Sequence, residues 1–230
     1  MNAWTLTALA AVAVLIVVAN QREQLLGGDD AVAAGDGQLE QGQAGGLLDT
    51  TLAALDPATY LPTMNDDDTA AMNEAAFLKT IRYAEGTAGP NGYATLFGGR
   101  TFSDFSDHPR QAVQFTDKAG RTLWTSAAGA YQFMAVSPLP SGKSTTVNTW
   151  DRVKAKLGLV DFSPASQDAA ALFLVDEAGA LNDVRAGRFE QAVSKVRRIW
   201  ASLPGAGYSQ GERSIASLRT AYGNAGGIFA

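Results

Sequence analysis

The sequence from Ala71 to Gly86 predicts an amphipathic helix that ends at an acidic residue followed by glycine. Asp68 or Thr69 can cap its start, and Gly86 suits the left-handed position just past a helix end. Glu85 is therefore expected at the helix C-terminus, where unpaired carbonyl groups and partial burial would raise the pKa of its carboxyl group. A general acid needs such a pKa near neutral pH. The alternative is a solvated glutamate at a helix end with no chemical role.

Behind this helix, the pattern predicts a small β-lobe and then more helices. The segment from Thr101 to Asp107 resembles a short strand that pairs with Val113 to Phe115. A second helical region is expected over Ser126 to Met134, followed by a polar loop over Ser141 to Val147. The fold class is therefore α+β and mostly helical. Later helices are expected over Trp150 to Leu157, Pro164 to Glu177 with Ser163 as its cap, Arg188 to Trp200, and Glu212 to Tyr222.

The N-terminal part of the chain divides into an apolar segment, residues 1–20, and an acidic, glycine-rich linker, residues 21–68. The uncharged run over residues 3–19 would span about 25 Å as a helix, slightly less than the hydrocarbon core of a bilayer. It predicts a membrane segment, although a cleaved signal peptide or a buried helix has a similar composition. The linker predicts a flexible tether. The folded domain is expected over residues 69–230, with its boundary between Asp66 and Ala70.

Charge and composition limit the possible partners and cofactors. Ten acidic residues and no Lys or Arg lie between Glu23 and Ala70, whereas the rest of the chain from Ala71 has 13 acidic and 17 basic residues. A mildly basic domain suits an anionic polymer, and we expect no nucleic-acid partner. The chain has no cysteine and one histidine, which excludes disulfides, thiolate metal sites and multi-histidine metal sites. No cofactor or metal is predicted.

Polar residues of the predicted β-lobe offer a second group of candidates. Asp104, Asp107, His108 and Arg110 are expected to form a structural turn. The alternative is that Asp104 is the second carboxylate of a hydrolase. No serine or cysteine nucleophile motif accompanies His108, which argues against a catalytic base there. Most aromatic residues are expected in the core, and Trp124 is the best candidate for a sugar platform.

Seven sequence blocks between Ala84 and Gln210 resemble the phage lambda endolysin family in the same order and cover nearly the whole domain. They are AEGT, GY followed by FGG, SDHPR, AAGAYQF, LGL-x-DFSP-x-SQD-x-AAL, GAL and IWASLPGAGY-x-Q. The resemblance implies a lysozyme-like domain with a small β-lobe after its first helix. It also implies a peptidoglycan lytic transglycosylase. Such an enzyme cuts between N-acetylmuramic acid and N-acetylglucosamine and leaves a 1,6-anhydromuramoyl end.

The resemblance also carries residue roles onto this sequence. Glu85 matches the catalytic acid, and Gln132 matches a glutamine that faces the N-acetyl group of the sugar. Tyr131 and Tyr208 would make stacking or hydroxyl contacts with the substrate in the groove.

Three features depart from the family pattern. Asn91 and Ala94 replace a histidine and an aspartate beside the Gly-Tyr pair, and a loop is added near Ser137 to Asn148. The membrane segment and tether also have no counterpart in the lambda-type pattern. A role that the replaced histidine or aspartate plays toward the substrate would be absent or changed here.

The chemistry and the setting leave several alternatives open. A transglycosylase needs one carboxyl group, which protonates the bridging oxygen and then accepts the proton of the sugar C6 hydroxyl. A two-carboxylate muramidase, or an inactive peptidoglycan-binding protein on the same scaffold, would be alternatives, and retention of Glu85 and Gln132 argues against the inactive protein. The enzyme would act either at host lysis from a membrane, with its catalytic domain on the wall side, or in a virion alongside other virion proteins.

Overall fold

Helices are the predominant secondary structure in the part of the chain that the structure describes. The computed structural model describes residues 66–117, 120–206 and 212–230, so the predicted membrane segment and nearly all of the linker lie outside it. An antiparallel hairpin pairs β1 (Val113–Thr116) with β2 (Thr122–Thr125), and a short 3-10 helix covers Gly92–Ala94. The helices are α1 (Asp66–Glu85), α2 (Thr149–Leu157), α3 (Pro164–Glu177), α4 (Leu181–Arg185), α5 (Phe189–Val196) and α6 (Ile215–Asn224).

α1 is the central helix of the domain. It begins at Asp66, earlier than the sequence pattern indicated, and three aspartates in its first turn suit the positive end of the helix dipole. Phe77, Ile81 and Ala84 on its buried face join the main hydrophobic core. The helix packs against α6, α4 and α3. α1 therefore carries Glu85 at the end of a helix that packs against three others.

The C-terminal end of α1 is closed by two backbone hydrogen bonds. The Gly86 N–H donates to the Tyr83 carbonyl at 3.2 Å, and the Thr87 N–H donates to the Arg82 carbonyl at 2.8 Å. This pair of bonds defines a Schellman motif, which needs a left-handed residue at the position of Gly86. The Gly86 φ angle of 76° meets that requirement. The predicted helix end is confirmed.

The strand pairing of the β-lobe was predicted wrongly. Val113 belongs to a strand, but that strand pairs with Thr122–Thr125 and not with Thr101 to Asp107. Within the segment from Thr101 to Asp107, only Thr101 forms a β-bridge, and its partner is Thr95. The aromatic side chains of this segment, Phe102 and Phe105, face the hydrophobic core. Phe102 packs on Phe162 with ring centroids 5.9 Å apart. Alternation alone does not separate a strand from an extended loop that lies on a core.

The predicted helix over Ser126 to Met134 is also wrong. Ala128 and Phe133 instead form an antiparallel bridge around a tight turn. Two residues of the turn have positive φ angles, 78° at Gly129 and 49° at Gln132, which a right-handed helix does not allow. Gly129 also lies so close to α3 that a Cβ atom there would be 2.2 Å from Gln167 Oε1. Tertiary packing therefore determines the shape of this turn.

The remaining helix predictions are confirmed with changes at their ends. α3 has the predicted bounds, and the Ser163 hydroxyl accepts a hydrogen bond from the Ser166 N–H at its start. α5 ends at Val196, before Trp200, and the short helix α4 precedes it. Among residues 66–117, 120–206 and 212–230, no helix is both long enough and apolar enough to cross a bilayer.

Candidate functional site

A cavity of about 300 Å³ opens beside the C-terminal end of α1. Four parts of the chain meet there: the end of α1, residues 95–99 before the β-lobe, the turn at Gln132, and the segment after α5. The lining residues are Ala84, Glu85, Gly86, Thr87, Thr95, Leu96, Phe97, Gly98, Gly99, Gln132, Ala201 and Ser202. Glu85 is the only carboxylate among these described lining residues.

Glu85 is half-buried, and it is bound by Ser202 from the opposite wall. The Ser202 hydroxyl donates to Glu85 Oε1 at 2.5 Å, and the backbone N–H of Ser202 also donates to this carboxylate. Burial raises the pKa of Glu85 above its ordinary value of 4.5, and the two hydrogen bonds from Ser202 partly oppose that rise. The direction of the shift is the one that the sequence predicted for this carboxyl group.

Gln132 lies in the same cavity as Glu85. Its side-chain amide donates to the Gly129 carbonyl at 3.0 Å and to the Thr95 carbonyl at 3.3 Å. These bonds and its left-handed backbone hold the side chain in one orientation. The structure therefore places in one cavity two of the four residues that the family resemblance assigned to the site.

Tyr131 lies in the core, unlike the groove contact that the sequence predicted. Its side chain is 1% exposed, and its hydroxyl donates to Asp168 Oδ1 at 2.5 Å. A ring enclosed on all sides offers no face for stacking on a sugar. The position of Tyr131 is suited to supporting the turn that carries Gln132. Tyr208, the other predicted contact, lies outside the described residues.

Asp168 is a buried carboxyl group that the sequence analysis missed. It accepts hydrogen bonds from the hydroxyls of Tyr131 and Tyr93, the latter at 2.8 Å. Burial raises its pKa, and the tyrosine hydrogen bonds and the charge of Arg82 partly oppose that rise. In sequence, Asp168 looks like an ordinary polar residue of α3. Only the packing of α3 against two distant tyrosines places it in a polar core cluster.

The acidic turn of the β-lobe has the structural role that the sequence predicted. His108 is 3% exposed, and its Nδ1 accepts from the Arg110 N–H while its Nε2 contacts the Phe133 carbonyl at 2.9 Å. This arrangement makes Nε2 the donor of a neutral imidazole, and burial lowers the pKa of His108. Asp107 and Arg110 bind residues of α2. Neither aspartate of this turn lines the cavity.

Asp104, the alternative second carboxylate, is exposed. It accepts a hydrogen bond from the Ser106 N–H at 2.8 Å, and this bond lowers its pKa. A carboxylate in this position caps a local turn.

The predicted aromatic core is present, and one tryptophan supports the site directly. Trp150 and Trp200 are buried, whereas Trp124 is half-buried in β2. The Trp200 indole N–H donates to the Tyr131 carbonyl at 3.2 Å. This bond ties the segment that carries Ser202 to the turn that carries Gln132. No sequence pattern indicated a role for Ser202, because the WASLPG block contains no catalytic motif. Its contact with Glu85 depends on the fold, which places Ser202 against the end of α1.

The chain is similar in sequence to known phage endolysins. A family profile described as Endolysin matches residues 75–229. The endolysin of Escherichia phage P2 is 40% identical over 170 residues, which are 68% of this chain and 94% of that protein. The endolysin of Escherichia phage lambda is 40% identical over 158 residues, 66% of this chain and 90% of that protein.

Solved structures agree as well. Bacteriophage lambda lysozyme complexed with a chitohexasaccharide matches with a TM-score of 0.59 and 36% identity, over 74% of this chain and 100% of that chain. A second structure, lysozyme from bacteriophage lambda, has a TM-score of 0.57 at the same identity and coverage. The predicted lysozyme-like domain and the family resemblance are therefore both confirmed, and this chain belongs to the endolysin family.

Proposed function

We propose that this chain is a peptidoglycan lytic transglycosylase that acts at host lysis, with Glu85 as its general acid and base. The observation that carries the proposal is a single carboxyl group in the cavity. Among the described lining residues, Glu85 is the only one with an acidic side chain, and burial raises its pKa. One carboxyl group is sufficient for transglycosylation, whereas hydrolysis by the usual route needs two.

The reaction uses the same proton site twice. Protonated Glu85 donates its proton to the glycosidic oxygen as the bond from that oxygen to the muramic acid C1 breaks. The substrate acetamido group stabilises the positive charge that develops on the sugar. The Glu85 carboxylate then accepts the proton of the C6 hydroxyl, and O6 forms the new bond to C1. The product is a 1,6-anhydro ring, and Glu85 returns to its protonated form.

The neighbours of Glu85 suit this cycle. Ser202 donates two hydrogen bonds, which stabilise the carboxylate that exists between the two proton transfers. Burial favours the protonated form that starts the cycle. Because burial favours the protonated carboxyl group and the Ser202 hydrogen bonds favour the carboxylate, Glu85 can change between the two forms during the cycle. Gln132 provides an oriented amide in the same cavity, which suits the N-acetyl group of a sugar.

A related protein supports a glycan as the ligand. The lambda lysozyme structure is complexed with a chitohexasaccharide, and the present chain covers all of that protein. Muramic acid and glucosamine in the wall carry the same N-acetyl group and β-1,4 linkage as this oligosaccharide.

The first test is the substitution Glu85→Gln. We expect wall cleavage to fall by roughly 10²–10⁴-fold or more, because the amide cannot donate or accept the required proton. Turbidity loss of purified walls measures this activity. Wild-type activity in a folded Gln variant would refute the assignment of Glu85.

Stability provides the folding control for this variant. A carboxyl group whose folded pKa is raised contributes stability that is fully present below its ordinary pKa and is lost as the pH rises through the folded value. The neutral amide has no such loss. The Gln variant should therefore melt no lower than the wild type at pH 7, and the difference should close as the pH falls toward 4.5.

The second test is the chemical form of the product. Mass spectrometry of digested wall should show anhydromuramoyl ends, lighter by one water than hydrolysed ends. A digest dominated by reducing muramic acid ends would show that the enzyme is a hydrolase. Asp104 would then be the first residue to substitute, despite its exposed position.

A further inference from the structure

A second and larger cavity, about 1170 Å³ in volume, lies next to the catalytic cavity. Residues 84–87 line the catalytic cavity, whereas their chain neighbours Arg82, Tyr83 and Ala88 line the second one. The two spaces are therefore separated by a single segment of chain. Residues 217–225 of α6 and its end form part of the other wall of this space, which we call the α1–α6 groove.

The α1–α6 groove is positively charged. Lys79 and Arg82 line it, and no aspartate or glutamate occurs among its described lining residues. Arg213 adds a third cation at its margin, with its guanidinium carbon 5.3 Å from the ring centroid of Tyr83.

Arg82 is held in place before any ligand binds. Its guanidinium carbon lies 4.3 Å from the ring centroid of Tyr93, and its Nη1 donates to the Tyr93 hydroxyl at 3.3 Å. Its buried Nε has no hydrogen-bond partner in the described part of the chain. The Tyr93 hydroxyl in turn donates to Asp168. A guanidinium group fixed in this way loses little conformational entropy when it binds an anion.

The polymer assigned to the catalytic cavity has an anionic part that fits this groove. Each muramic acid carries a short peptide whose free carboxylates project away from the glycan backbone. We propose that the α1–α6 groove binds the carboxylates of these wall peptides while the glycan occupies the cavity at Glu85. This inference rests on the proposed function, because it assumes that the glycan is the substrate. Lys79 and Arg213 would contact carboxylates at the surface, and Arg82 would bind one deeper in the groove.

Binding to glycan strands with and without their peptides tests this inference. Full-length protein carrying Glu85→Gln is titrated with strands of matched length, either intact or stripped of peptides by an amidase. The groove variant combines Lys79→Glu with Arg213→Glu, both at exposed positions. The control variant combines Lys143→Glu with Lys156→Glu, which are exposed and do not line the groove. Both pairs change the net charge equally.

We expect the groove variant to weaken binding of intact strands by roughly three- to tenfold, the effect of losing two exposed ion pairs. Its binding of stripped strands should match that of the parent, and the control variant should match the parent on both. Equal weakening on both strand types, or in both variants, would overturn the inference. Competition by soluble polyphosphate but not by free wall peptide would assign the groove to a phosphate polymer instead. Cleavage of strands by the Gln variant, visible by mass spectrometry, would count only against the proposed function.

Discussion

At the residue scale, the decisive contact joins Glu85 to Ser202 across 117 positions of sequence at 2.5 Å. Neither residue alone accounts for the chemistry. Burial raises the pKa of Glu85, and the Ser202 bonds oppose the rise. Ser202 is therefore a positioning residue that also adjusts how readily Glu85 gives up its proton.

The substitution Ser202→Ala should move the pH profile as well as lower the rate. Without the hydroxyl, the pKa of Glu85 rises further, so the alkaline limb of kcat/KM should shift to higher pH. A hydrogen bond to a charged group contributes about 1.5–3 kcal/mol, so kcat/KM should fall by roughly 10- to 100-fold at most. Ser202→Thr retains the hydroxyl and should restore the wild-type limb. If the alkaline limb of the kcat/KM profile is at the same pH in the Ala variant as in the wild type, the Ser202 hydroxyl does not affect the pKa of Glu85.

At the element scale, the β-lobe is joined to α2 by a polar clamp centred on Asp107. This carboxylate accepts from the Trp150 indole N–H at 3.0 Å, from Lys154 at 2.9 Å and from Arg110 at 3.1 Å. Burial tends to raise its pKa, but these hydrogen bonds lower it well below the ordinary range. The clamp holds the loop whose His108 supports the Phe133 carbonyl, one residue from Gln132.

Removal of this clamp should destabilise the domain. Asp107→Ala leaves the buried Trp150 N–H without its acceptor, so we expect the free energy of unfolding to fall by about 1–3 kcal/mol. Because the folded pKa of Asp107 is lowered, its contribution is present above the ordinary value of 3.8 and is lost as the pH falls below it. Denaturant melts at pH 7 and pH 3 should therefore differ more for the wild type than for the variant. Asp104→Ala, in the same loop, is the control and should leave the free energy of unfolding nearly unchanged, because Asp104 is exposed.

At the scale of the whole molecule, residues 66–230 contain the core and the site. The end of the chain closes onto the start of α1, since the Ile228 N–H donates to Asn73 Oδ1 at 2.7 Å. Glu74 and Arg185 form an ion pair between α1 and α4, with Nε to Oε1 at 2.5 Å. These contacts join the C-terminal segment and α4 to α1.

A chain truncated to begin at Asp66 should therefore be soluble and should cleave exposed wall at a rate close to that of the full chain. Full-length protein should sediment with membranes, because its residues 3–19 are apolar and uncharged. The part of the linker that precedes α1, residues 21–65, should let an anchored domain reach roughly 35–40 Å as a flexible coil. Membrane flotation and wall-cleavage assays on both chains test this arrangement. Full-length protein that remains wholly soluble with an intact N-terminus would contradict the anchor.

The sequence alone determined the features that depend on neighbouring residues. The end of α1 follows from Gly86, which accepts a left-handed backbone, and the start of α3 follows from a serine cap before Pro164. The position of Glu85 at a helix end follows from the same local rules. The family resemblance added Gln132 as its companion, and the structure places both in one cavity.

Tertiary structure decided everything that depends on contacts between distant segments. The turn at Gly129 and Gln132 replaced a predicted helix because α3 packs too closely for one. Tyr131 lies in the core, where its hydroxyl donates a hydrogen bond to Asp168, a residue 37 positions later in the sequence. Ser202 became the partner of Glu85 only through folding. Local pattern specifies a residue's own backbone preference, whereas the pKa and role of a side chain depend on which distant atoms displace its water.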